Sequence, residues 1–254
     1  MLKQRVIPCL LLKGEGLVKT RKYKKPKYVG DPINAVRIFN DKEVDELMLL
    51  DIDASRLKLG PNFPLIEELA SECFMPLCYG GGVRCVEDAE RLFNIGVEKV
   101  CIQTSVISDL SLVNTLSKKF GSQSIVVSVD IKTSWVGKKK LYNAASGKIL
   151  RGSWEDRIKD VQKAGAGEIV LSFVDYDGMK SGMDLDLISK ASHLLDIPII
   201  AMGGVGSLRH IQEAAQKGAS AVAAGTFFVF QGPHDAILIT YPKYEELERL
   251  LKGI

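Results

Sequence analysis

A (β/α)8 barrel, the TIM-barrel fold, with a pseudo-twofold half-barrel repeat is what this sequence predicts, and three observations point to it. The first is a duplication: residues 76–104 (PLCYGGGVRCVEDAERLFNIGVEKVCIQT) return at 198–226 (PIIAMGGVGSLRHIQEAAQKGASAVAAGT). A constant shift of 122 pairs Gly81 with Gly203, Gly82 with Gly204 and Thr104 with Thr226. The same shift pairs residues 46–49 with 168–171 and Asp53 with Asp175. A repeat of half the chain implies two equivalent halves, about 1–122 and 123–254, facing one site. The second observation is that short β-rich runs alternate with amphipathic helical stretches, which calls for a parallel sheet. The third is length: 254 residues with 46% hydrophobic content suit one closed barrel domain spanning 1–254. A doubly wound open sheet is the alternative fold.

Taken in order, the expected strands are 6–11, 46–51, 75–79, 99–102, 125–130, 168–172, 197–201 and 221–224, each bounded by turn residues. Helix starts are readable between them. Asp31-Pro32 offers an N-cap followed by proline at the first helical position, and Ser153-Trp154-Glu155-Asp156 places acidic residues in a first turn. Two long interruptions, 12–30 and 132–151, follow the first and fifth strands, on the face where barrel enzymes do their chemistry. The second of these reads as a small hairpin. The first contains the basic loop 19–27 (KTRKYKKPK), which is either a solvated loop or a cover for an anionic ligand.

Composition excludes more than it assigns. A net charge of +3 gives no case for nucleic acid, and no apolar run approaches the ~18 residues that cross a bilayer. The N-terminal stretch has a basic start but no small-residue cleavage site, so no signal peptide is expected. The five cysteines lack CxxC spacing and read as reduced core residues of a cytoplasmic protein. His193, His210 and His234 have no ligand spacing, so neither a metal nor another cofactor is expected, and a metal hydrolase is disfavoured. GGVGSL at residues 203–208 comes too late in the chain for a dinucleotide fingerprint, which disfavours an oxidoreductase.

The glycines carry the first functional reading. Gly80-Gly81-Gly82 follows a strand and opens a helix over 85–95, with Thr104 after the next strand. The twin corner has Gly203, Gly204, Gly225 and Thr226, with Gly178 nearby. Glycine lets backbone N–H groups approach an anion, and a helix N-terminus favours negative charge. Each motif alone reads equally well as a tight turn. Their duplication at matching strand ends favours two phosphate sites, and Lys19 is the candidate side chain of the basic loop.

With these residues in view, the chain resembles the HisF family, the cyclase subunit of imidazole glycerol phosphate synthase, over nearly its whole length. The resemblance is carried by RVIPCL (5–10), GDP (30–32), LDI (50–52), GGGV (80–83), KFGSQ (119–123), GAGEI (165–169), DGMKSG (177–182) and GGVG (203–206). FGSQ and GAGEI favour the cyclase over its sister isomerase. The resemblance implies a heterodimer with a glutaminase (HisH-type) subunit, whose ammonia enters through a ring made here by Arg5, Glu46, Lys99 and Glu168. Read from charge alone, that ring is equally a salt-bridge cluster capping the barrel. Glu98 and Gln123 at the same end are candidates for partner docking. The resemblance also implies a phosphorylated small-molecule substrate and two opposed acids at the ends of strands one and five.

Asp130 is the strand-five acid, but Leu11 stands where its partner is expected, and Leu11 cannot move a proton. Gln103, Phe173 and Met179 also depart from the family pattern, as residues expected to reshape the pocket. IPCLLLK and DPINAVRIFNDKEVDELMLLDIDAS resemble HisF-like partners of an N-acetyl-sugar amidotransferase in surface-polysaccharide (lipopolysaccharide) synthesis, where an acetamido group becomes an acetamidino group. Two other readings stay open. One is an active histidine-pathway lyase making imidazole glycerol phosphate and AICAR from PRFAR, with Asp51 or Asp177 as second acid. The other is a non-catalytic scaffold for the glutaminase.

Overall fold

The computed structural model describes residues 4–254. Eight strands form the barrel: β1 Arg5–Lys13, β2 Leu47–Asp51, β3 Leu77–Gly80, β4 Lys99–Ile102, β5 Ile125–Thr133, β6 Glu168–Phe173, β7 Ile199–Met202 and β8 Ala221–Ala224. Each pairs in parallel with the next, and β8 returns to β1 through Arg5↔Ala221 and Val6↔Val222. Closure leaves no free edge, and it overturns the open-sheet alternative. Pro76 and Pro198 lack an N–H for the ladder, so β3 and β7 start later than the sequence predicts. Their carbonyls still accept from Leu47 and Ile169 at 2.9 and 3.1 Å.

The helices are α1 Pro32–Asp41, α2 Phe63–Glu72, α3 Val86–Asn94, α4 Ser111–Phe120, α5 Trp154–Lys163, α6 Leu185–Leu194, α7 Leu208–Gln216, the short α8 Thr226–Val229, and α9 Tyr244–Leu251. Both predicted helix starts form, each with a side-chain cap. Asp31 Oδ1 accepts from Asn34 N at 2.8 Å ahead of Pro32, and Ser153 Oγ accepts from Asp156 N at 3.2 Å.

Period-two alternation divides each strand between two apolar clusters. Val6, Leu10 and Leu12 of β1 face the helices, while Ile7 and Cys9 face the barrel interior with Leu11 packed above them. The interior waist is Ile7, Cys9, Met48, Cys78, Cys101, Val126, Val170, Ile200, Ala221 and Ala223. The five cysteines are free thiols; Cys9, Cys78 and Cys101 are core residues, whereas Cys73 and Cys85 are only half-buried. Among the described residues no helix is long and apolar enough to cross a membrane, and no group of three metal-ligating side chains occurs.

The two interruptions are both hairpins. The second, Lys139–Asn143 with Lys148–Ile149, extends β5, as the sequence predicts. The first is not the irregular loop expected: Gly16–Arg21 and Lys24–Gly30 pair antiparallel and continue from β1. Its turn residues Lys22 and Tyr23 both have positive φ, 52° and 60°, a conformation usually taken by Asn-Gly. The missing turn chemistry comes from far along the chain. Asp177 accepts Lys22 N on its carbonyl at 2.9 Å and Tyr23 N on Oδ2 at 3.2 Å.

Ile200→Ala, at a fully buried waist position, should cost ~2–5 kcal/mol by opening a cavity, and Asp31→Ala ~0.5–2 kcal/mol by removing a cap. Urea midpoints of the two variants check both values and their order.

Candidate functional site

The inward period of the strands places chemistry at both barrel ends. At the strand starts, Arg5 Nη1 bonds Glu46 Oε2 (2.5 Å) and Arg5 Nη2 bonds Glu168 Oε1 (3.0 Å), while Lys99 Nζ bonds the same two oxygens at 2.8 and 3.1 Å. Two cations and two anions thus alternate in a closed ring. Burial lowers the Arg5 pKa, but the two carboxylates outweigh it and the guanidinium is held above its usual range. Glu46 Oε1 and Glu168 Oε2 are buried without a hydrogen-bond partner, so the ring retains unused acceptors. Beside it, Glu98 and Gln123 line a shallow cavity of about 550 Å³ with Phe93, Phe120, Lys99 and Glu168. The sequence-predicted docking residues and the ring therefore share one end.

At the strand ends lies a cavity of about 460 Å³. Asp130, Lys19, Gly81, Gly82, Thr104, Gly178, Gly203, Gly204, Gly225 and Thr226 all line it, so every residue the sequence assigned to substrate falls in one place. The twin corners match in backbone: φ is 128° at Gly81 and 108° at Gly203, 76° at Gly82 and 105° at Gly204. The turn reading of these glycines holds as well. A Cβ on Gly204 would lie 1.9 Å from the Gly182 carbonyl oxygen, so substitution there distorts the backbone before it can report on a ligand.

Three polar atoms of cavity-lining residues are buried with no hydrogen-bond partner: Gln103 Nε2, Ser105 Oγ and Thr226 Oγ1. Leaving such groups unmade is costly, and a bound ligand is one way to satisfy them. Lys19 is buried, not solvated. Its Nζ bonds Asp177 Oδ1 at 2.5 Å and the Thr20 carbonyl at 3.0 Å, and its stem packs against Gly225 at the second corner.

Asp130 is 4% exposed, and burial pushes its carboxyl up to about 6 although the Ser128 hydroxyl donates to it at 3.0 Å. The neighbouring Asp177 carboxylate raises it further. A carboxyl poised near neutrality can serve as acid or base. Leu11 lines the same cavity from β1. Of the two other acids weighed from sequence, Asp51 caps its own turn, accepting from Asp53 and Ala54 N at 2.9 Å each, and Asp177 holds the hairpin.

Two expected pocket residues do not belong there. Phe173 faces the helices because Ser172 takes the inward position, and Met179 is an exposed loop residue outside the cavity. Tyr23, missed from sequence, lines the cavity with its hydroxyl 2.5 Å from Ser172 Oγ. Its place in the turn was hidden by the unrecognised hairpin.

Comparison with known proteins gives a consistent result. The histidine biosynthesis protein family matches residues 5–234. A Pseudomonas aeruginosa protein named for imidazole glycerol phosphate synthase, subunit hisF2, is 50% identical over 249 residues, covering 98% of this chain and 99% of its own. A Vibrio vulnificus protein named as hisF3 of the same synthase is 47% identical over 254 residues, covering 99% and 98%. The imidazole glycerol phosphate synthase subunit HisF of Dictyoglomus thermophilum is 38% identical over 231 residues, 91% of each chain.

Two outcomes follow from the geometry. Glu46, 2% exposed, serves both cations, so Glu46→Gln should destabilise the fold by up to ~3–5 kcal/mol, read by denaturation. Asp130 has the opposite sign. Its folded pKa of about 6 exceeds the ordinary 3.8, so the folded state holds a proton that the unfolded state releases, and stability falls as pH rises from about 4 through 6. Asp130→Asn should abolish that fall and leave the variant more stable at pH 7.5 by up to ~3 kcal/mol, with little difference near pH 4.

Proposed function

Since the chain belongs to the histidine biosynthesis protein family as a HisF-like paralogue, we propose that it is the barrel subunit of a cytoplasmic glutamine amidotransferase complex. A glutaminase docks at the Glu98–Gln123 end, and ammonia enters at the Arg5–Glu46–Lys99–Glu168 ring. It passes the apolar waist and emerges at the cavity of Asp130. The two glycine corners, Thr104, Thr226 and Lys19 hold a phosphate-bearing ligand there.

The observation that carries the finer reading is Leu11. A β-branch-free apolar side chain sits in the cavity wall where the cyclase reaction needs a second proton carrier, while the ring and both corners are complete. We therefore assign the ammonia to another acceptor, an N-acetyl sugar converted to its acetamidino form by a separate amidotransferase in surface-polysaccharide synthesis. One observation favours a second reading. Asp177 lines the cavity close enough to raise the pKa of Asp130, and a carboxylate pair of this kind supports cyclisation of the histidine-pathway substrate once the hairpin releases it.

Ammonium salt and the imidazole glycerol phosphate synthase substrate separate the two. On the first reading the chain turns over ~10²–10⁴-fold slower than an ordinary cyclase, and Leu11→Asp recovers part of the loss. Full cyclisation by the unaltered chain establishes the second. Mixing with a glutaminase subunit should raise glutamine hydrolysis on either; no binding and no change in turnover removes the ammonia-transfer proposal. Thr226→Val should weaken the phosphate ligand by ~1–3 kcal/mol in calorimetry, since its hydroxyl has no other partner.

A further inference from the structure

Leu11 leaves Asp130 without an opposed acid on β1, yet the hairpin that continues from β1 brings a protic group to the same cavity. Tyr23 OH lies 2.5 Å from Ser172 Oγ, and Ser172 is the register partner of Asp130 across the β5–β6 seam. The turn that carries Tyr23 is fixed by Asp177, which also takes the Thr20 hydroxyl at 2.7 Å. The Tyr23 ring packs on Tyr142 of the second hairpin at 6.3 Å, and Lys132 Nζ sits 4.8 Å from the other ring. Both hairpins thus meet above the carboxyl group.

We propose that Tyr23 is a positioning residue for Asp130: the closed hairpin presents its phenol at the β5–β6 seam, where with Ser172 it completes the polar surround that sets the protonation of the carboxyl group. The inference rests on Asp130 being the acid–base group of the function proposed above. Facing Asp130 are Ser128 of its own strand, Cys101 of β4 and Gln103 just after it, Tyr142 of the second hairpin, Asp177 after β6, and Tyr23. Burial raises the carboxyl pKa most and Asp177 adds to it by repulsion, whereas the Ser128 hydroxyl and the Tyr23 phenol lower it by favouring the anion. Burial holds the phenol itself protonated, so Tyr23 acts as a donor at every working pH.

Carbon-13 carboxyl titration of the full chain labelled in aspartate tests this without substrate or glutaminase, so failure of the assigned function leaves the result readable. The Asp130 signal is identified by its loss in Asp130→Asn. Tyr23→Phe keeps the ring on Tyr142 and should raise the Asp130 midpoint by about one pH unit, while Tyr28→Phe, an exposed tyrosine of the same hairpin, should leave it unchanged. A residue that only packs would give no shift, and an unmoved midpoint in folded Tyr23→Phe overturns the proposal. Should that variant not fold, 3-fluorotyrosine in the parent chain reads the same coupling from the other side. One fluorine should titrate with Asp130, persist in Tyr142→Phe and lose its step in Asp130→Asn; absence of that step also overturns it.

Discussion

A closed barrel of short strands has room for only a few inward side chains per strand, and everything functional here depends on that allotment. On β1 the inward series is Arg5, Ile7, Cys9 and Leu11; on β6 it is Glu168, Val170 and Ser172; on β5 it is Val126, Ser128 and Asp130. The first position builds a charged ring, the middle an apolar waist, and the last a polar cavity. Shifting any strand by one residue would turn its whole series toward the helices. The ring, the waist and the site are therefore set together by register, and parallel pairing all the way round the barrel holds that register.

Much of this was readable from sequence because it is local or repeated. The duplication located both glycine corners, the proline and acidic starts located α1 and α5, and the charged residues at the starts of β1, β2, β4 and β6 fell into one ring. What was not readable depended on distant partners. Lys22-Tyr23 carries no turn signal of its own, and Asp177, 154 residues beyond Tyr23, supplies it. Without the hairpin, Tyr23 had no assignable face, and the basic loop read equally well as solvated although Lys19 was a candidate ligand residue. Phe173 was misplaced for a simpler reason: its neighbour Ser172 takes the inward position, and period two leaves Phe173 no choice.

Asp177 shows how the site ties its parts together. One carboxylate neutralises Lys19, satisfies the turn of the first hairpin and repels Asp130. Lys19 at the second corner and Tyr23 in the hairpin turn are thus joined through a single side chain.

The near-neutral composition conceals a strongly polar molecule. Residues 19–27 and 132–151, the hairpin segments on the cavity face, hold twelve Lys and Arg and no Asp or Glu, so the remainder of the chain carries a net −9. The two segments therefore place a local excess of positive charge on the cavity face. At low ionic strength such an excess steers small anions toward the open cavity. Salt at physiological concentration shortens that reach to about 8 Å, so capture is electrostatically guided only over the last few ångströms, within the span of the hairpins themselves.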